Sequence, residues 1–214
     1  MATALQLVNK VLRRLREDEV TTFTNSYTNL ILDFINETKR EVEDAWNWTS
    51  LRTTKTITTV AGTRQYSLTG AGSRFRVLDV WDTTSMGRLA LANVQYVNDS
   101  IEGQEGQGSP YAYRIYGQDS NGDPYVDITP VPDGVYTITF YLHIPQEDLS
   151  ATTDTMTVAE WPVVLGAWAK AISERGEDGG QNTIEQQLMY KSALSDAIAI
   201  DEAKTYGETT WQSI

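Results

Sequence analysis

Glu41-Val42-Glu43-Asp44-Ala45-Trp46-Asn47-Trp48-Thr49-Ser50-Leu51-Arg52-Thr53-Thr54-Lys55-Thr56-Ile57-Thr58-Thr59-Val60 is where the hydrophobic period of this chain changes. Upstream of Trp48 the apolar residues keep helical spacing, and from Leu51 onward the chain is rich in Thr, Ile and Val. The first pattern is that of a helix with one apolar stripe, the second the composition of a strand. Working back from the switch, Leu30, Ile31, Phe34, Thr38, Val42, Ala45 and Trp46 keep to one stripe. Asp33, Glu37, Arg40, Glu41 and Glu43 fall largely off it, so a helix is expected from about Asn25 to Trp46. Its Glu37–Glu41 pair repels while its Lys39–Glu43 pair attracts, so packing must hold this helix. Before it, Leu5, Val8, Leu12 and Leu15 predict a helix over Thr3–Arg16, with Thr3 as N-cap and Asp18–Thr24 as connector.

Downstream of the switch the strand candidates are 51–60, 65–68, 75–81, 88–92, 111–116, 125–129 and 135–144. Ala61-Gly62, Asn121-Gly122 and Pro132-Asp133-Gly134 are turn signals, and 101–110, with three glycines, reads as an exposed loop. Helical spacing returns after Thr157. Thr157-Val158-Ala159-Glu160 matches a capping box, although Pro162 argues for a later start. Trp161, Leu165, Trp168, Ala169 and Ile172 form one face of this helix, which ends near Gly176. Asn182, with Glu185 as its partner, is the expected cap of a final helix reaching about Tyr206. The fold expected is α+β: a bundle of N- and C-terminal helices interrupted by an antiparallel β subdomain, either a sandwich or a small barrel. The divisions are 1–50, 51–150, 151–206 and a tail, 207–214.

The final helix carries apolar residues on two arcs. Ile184, Leu188, Leu194, Ile198 and Tyr206 cover one; Met189, Ala193, Ala197 and Ile200 cover the other. One arc fits the chain's own bundle and the other a neighbouring subunit, so Met189, Ala193, Ala197 and Ile200 are the candidate inter-subunit face. The bland alternative is that Ala is a good helix former and the second arc is weakly exposed.

Composition narrows the function. Formal net charge is −12, spread along the chain with no basic stretch, so a tight grip on phosphates is not expected. An acidic surface that DNA merely passes remains compatible. Cysteine is absent and there is one histidine, His143, which removes thiolate chemistry and zinc sites of ordinary composition. His143 lies in a strand pattern with no nucleophile motif nearby, which favours a structural role. Asp119-Ser120-Asn121-Gly122-Asp123 opens like a calcium loop. It then has Pro124 and Pro130 where Gly and Glu are needed, so a hairpin turn is expected. Asp79, Asp82, Asp127 and Glu160 could supply paired carboxylates for glycoside hydrolysis, but spacing alone places no pair. Tyr111, Tyr113, Tyr116, Tyr125, Tyr136 and Tyr141 could stack on sugars or could simply be strand residues. No cofactor motif occurs, no twenty-residue apolar run spans a membrane, and the N-terminus lacks a secretory layout.

The order of features resembles the head-to-tail adaptor (connector) family of tailed phages, including proteins like tail tubular protein A. The likeness rests on Leu5-x-x-Val8-Asn9, Val42-Glu43-Asp44-Ala45-Trp46-Asn47-Trp48, and Thr63-Arg64-Gln65-Tyr66-Ser67-Leu68 before Arg76-Val77-Leu78-Asp79-Val80. Its most distinctive part is Tyr125-Val126-Asp127-Ile128-Thr129-Pro130-Val131-Pro132-Asp133-Gly134, leading into Tyr136–Tyr141 and Asp148-Leu149-Ser150. The resemblance implies a non-enzymatic virion protein of the neck, assembled in the host cytoplasm. It would form a homo-oligomeric ring of twelve copies between the portal protein and a downstream tail or nozzle protein. DNA would pass through its lumen without sequence recognition. By the same analogy Tyr206, Trp211 and Ile214 would contact the portal. Another tail or receptor-binding subunit, or a carbohydrate-binding β domain, are the competing readings.

Overall fold

The computed structural model describes residues 1–95, 106–176 and 181–205. The chain separates into two units, Met1–Leu51 with Pro145–Ile214, and Arg52–Ile144. In the first, helix α1 (Ala4–Arg14) starts at Thr3, whose hydroxyl accepts from Gln6 N–H at 3.2 Å. The Gln6 side chain accepts from Thr3 N–H in return, closing a capping box. Helix α2 (Ser26–Ala45) starts at Asn25, whose side chain accepts from Tyr27 N–H.

Helix α3 (Glu160–Arg175) is the centre of this unit and packs on α1, on α2 and on α4 (Gln181–Glu202). Pro162 to Ala167 are buried without interruption. Gly166 lets the neighbours close in: a Cβ there would sit 2.4 Å from Thr38 Cγ2 and 3.1 Å from the Tyr190 ring. Gly176 ends α3 in the left-handed region, φ +65°, donating its N–H to Ile172 O.

Several sequence expectations are corrected here. The Thr157–Glu160 capping box does not form; α3 begins at Glu160 after Ala159, and Thr157 donates N–H and Oγ1–H to Gln146 Oε1 instead. Asn182 lies inside α4 rather than capping it, and α4 ends at Glu202, before Tyr206.

The largest correction concerns α2. Asn36, Lys39, Arg40 and Glu43 follow one another at helical spacing, and the returning segment 146–149 lies along them. Asn36 exchanges two hydrogen bonds with the Leu149 backbone, and Lys39 Nζ donates to Gln146 O at 2.7 Å and Glu147 O at 3.0 Å. Lys39 also pairs with Glu43 at 3.1 Å, with both side chains 0% exposed, and Arg40 pairs with Asp148. A face that reads as solvated in the sequence is thus partly covered.

The second unit has strands β1 (Arg52–Thr58), β2 (Gln65–Ser67), β3 (Arg76–Asp82), β4 (Gly87–Arg88), β5 (Ala90–Leu91), β6 (Ala112–Gln118), β7 (Pro124–Thr129) and β8 (Thr137–His143). They form two four-stranded sheets, β1-β8-β3-β4 and β2-β7-β6-β5. Pairing is antiparallel except for β5 with β6, a short parallel pair that the all-antiparallel expectation did not foresee. Ile57, Val80, Ile138, Phe140 and Leu142 of one sheet meet Tyr113, Val126 and Ile128 of the other in a single core. Tyr113 and Phe140 pack edge to face at 5.5 Å between ring centroids. The result is a sandwich, with no closed barrel. Pro132-Asp133-Gly134 therefore leads from one sheet to the other rather than closing a hairpin.

Candidate assembly surface

The chemical leads of the sequence resolve into structure-building contacts. Asp119 accepts from Ser67 Oγ–H, Asn121 N–H and Asp123 N–H; Asp123 accepts from Gly70 N–H and Gly72 N–H. The Ser67 hydroxyl first, then backbone N–H groups, hold Asp119 below the usual carboxylate range; Gly70 and Gly72 do the same for Asp123. Asp119 thus closes the β6–β7 turn, where Gly122 has φ +83°, and both carboxylates tie that turn to β2 and the loop after it. Among the described residues no cluster of three or more His, Asp or Glu could hold a metal ion.

His143 is fully buried in the β unit. Asp127 pairs with Arg114, Asp79 with Arg88 and Glu160 with Lys10, while Asp82 caps a turn through Thr84 N–H and Ser85 Oγ–H. The tyrosines are divided: Tyr113 is in the core, Tyr116 carries the Arg114 guanidinium 4.7 Å above its ring, and Tyr141 lies on the other sheet.

What remains is a surface of the helical unit. The inward stripe of α4 is Tyr190, Ala193, Leu194, Ala197, Ile198 and Asp201, at steady helical spacing. Tyr190 donates to Glu41 Oε2 at 3.2 Å, and burial first, then the Glu41 charge, push its hydroxyl pKa up. Asp201 fastens the far end of α4, accepting from Thr49 Oγ1–H at 2.6 Å and Thr49 N–H at 2.8 Å. Burial alone would raise the Asp201 carboxyl, but these bonds and Lys204 hold it low.

Beside this stripe lies an open, mainly apolar groove of about 400 Å³, lined by Trp48, Val158, Trp161, Pro162, Ala193, Ala197, Ile200 and Lys204 among others. Trp48 forms its floor, buried and donating its indole N–H to Val42 O at 2.6 Å. Trp161 forms a wall and is 54% exposed. The Arg14 guanidinium sits over Trp161 at 4.9 Å and over Trp168 at 5.1 Å, which steadies both rings.

The candidate inter-subunit residues divide between these features. Ala193 is buried, Ala197 is half-buried on the helical core, and Met189 and Ile200 are exposed. From the other arc, Leu194 and Ile198 pack inward while Ile184 and Leu188 are exposed. Tyr206, Trp211 and Ile214 lie outside the described residues. The sequence groups Trp161 with Leu165, Trp168, Ala169 and Ile172 on one face of α3 and marks Trp48 only as a boundary. The available signal was position: Trp161 stands in the first turn of α3, ahead of the run that enters the core. Among the described residues, no helix is long and apolar enough to cross a membrane.

The family model described as SU10 adaptor protein matches residues 2–212, and the chain belongs to that family. No curated protein matches it. Membership makes the chain a phage structural adaptor, of a family that is not normally enzymatic. It implies a place in the virion neck, association with portal and tail proteins, and oligomerisation.

Proposed function

We propose that this member of the SU10 adaptor family forms a ring of twelve copies between the portal and the next tail or nozzle protein, through which DNA passes. Assembly takes place in the host cytoplasm. The helical parts, 1–50 and 151–206, build the ring wall, and the β part, 51–150, faces outward or towards the tail. Residues 207–214 reach the portal, with Trp211 and Ile214 as hydrophobic anchors and Tyr206, next to this tail, as a further contact. The observation that carries this reading is α4, which packs inward from Tyr190 to Asp201 yet keeps Ile184, Leu188 and Ile200 exposed. A helix apolar on more than one side is built to pack on more than one side. The charge of −12, without a basic stretch, suits a lumen that lets DNA slide.

Native mass spectrometry of the chain, alone and mixed with portal protein from the same virion, tests the reading. A defined many-copy species is expected with the portal. A chain that stays monomeric in both samples overturns the assignment.

A further inference from the structure

The three most exposed apolar side chains of α4 lie in two places that face different ways, and Met189, 48% exposed, is turned to the Ile200 side but stands beside Leu188. Ile184 and Leu188, 62% and 61% exposed, stand one turn apart near its start. Ile200, 66% exposed, stands at the groove near its end. At 100° per residue, Ile200 is turned roughly 120–160° from the first pair and displaced by roughly 18 Å from Leu188 along the helix. A two-fold contact would need both on one face, whereas a head-to-tail contact needs them on different faces.

Resting on the reading of the chain as an oligomeric adaptor, we propose that α4 carries both halves of a repeating contact between copies. Ile184 and Leu188 of one copy enter the groove at Trp48, Trp161 and Ile200 of the next. The two halves match. Two branched aliphatic side chains one turn apart present a small apolar ridge, and the groove offers an aromatic wall and floor in about 400 Å³. Charge follows the same direction at one residue: exposed Lys191 shares the ridge side, and exposed Asp196 lines the groove beside Glu160, which pairs with Lys10, and Lys204, which pairs with Asp201. Those carboxylates also disfavour a nucleic-acid occupant. An apolar centre with a charged rim is the usual anatomy of a protein interface.

The natural absence of cysteine makes the test clean. Leu188→Cys and Ile200→Cys are combined in one chain, and each is also made singly. The roughly 18 Å between these positions on one helix is far beyond the roughly 7 Å limit for a disulfide, so every 188–200 bond joins two copies. Assembly is followed by native mass spectrometry with and without portal protein, and oxidation by non-reducing gel and peptide mapping. The double variant is expected to give a ladder beyond dimer, ending at the size of the natural assembly. A mixture of the two single variants is expected to give one dimer band, and each single variant alone none. If the natural chain assembles but no 188–200 link forms, even with a bis-maleimide shorter than the helix segment, the proposal is overturned and the adaptor reading stands. A ladder that stops at dimer, or dimers from Leu188→Cys alone, overturns the head-to-tail geometry. If the natural chain assembles with neither itself nor portal, the adaptor reading falls too.

Discussion

Each unit of this protein buries an ion pair, and the two pairs are built differently. Arg114 and Asp127 are direct cross-strand partners on β6 and β7, so the register of one hairpin brings them together, and Gln65 on β2 adds a third hydrogen bond at 3.1 Å. Lys39 and Glu43 are neighbours on one helix, but the groups that complete their site come from 146 and 147, more than a hundred residues away. The first pair is made by local pairing. The second forms only once the chain has returned from the β insertion and laid 146–149 on α2. A buried charge of the second kind selects one docking of distant segments, because any slip strands an ammonium in the core.

The largest expected effect follows from that difference. Lys39→Met removes the ammonium that donates to Glu43 and to two backbone carbonyls, and should cost about 3–5 kcal/mol in chemical denaturation of the whole chain. Hydrogen exchange should show Leu149 N–H losing protection at the same time, since 146–149 is held by the same face. If Lys39→Met unfolds like the natural chain and Leu149 stays protected, the pair is not what docks the segment. Arg114→Met should cost less, about 1–3 kcal/mol, because Asp127 keeps Gln65 as a donor and the hairpin keeps its register. A loss equal to that of Lys39→Met would remove the distinction between a local and a long-range pair.

The smallest effect is on the acid side. Asp119 and Asp123 in the β unit, and Asp154 and Asp201 in the helical unit, all have carboxyl pKa values held below the ordinary range by hydrogen bonds. A depressed folded value means stability that is fully present above about pH 4 and lost as pH falls through the lower folded values. Thermal unfolding followed from pH 6 downward should therefore decline below about pH 4. Asp123→Asn should be less stable at neutral pH and show a shallower decline. An unchanged acid limb would mean that Asp123 carries none of it.

The same contrast explains what was legible in the sequence. The switch at Trp48–Leu51 places the end of α2 and the start of β1 because both signals are local, one a spacing and the other a composition. Thr3 and Asn25 cap their helices as short-range hydrogen bonding requires, and Asn121-Gly122 closes its hairpin for the same reason. Other readings failed where the structure around a residue decided its role. Thr157 was free to cap α3 by its sequence, but Gln146 took its hydrogen bonds. Glu43 looked solvated until 146–149 covered it, and Trp161, grouped by spacing with buried Leu165 and Ala169, stands exposed ahead of the buried run.

By itself the sequence determined the α+β class, the order of its elements and the adaptor family, since periodicity, turn chemistry and motif order are written residue by residue. Only the tertiary structure decided which apolar side chains of α4 the core keeps and which it leaves outside. Ile198 and Ile200 are the same residue type two positions apart on that helix, and no local rule separates them. Their fates differ because α3 covers one side of α4, and what a neighbour covers is a property of packing.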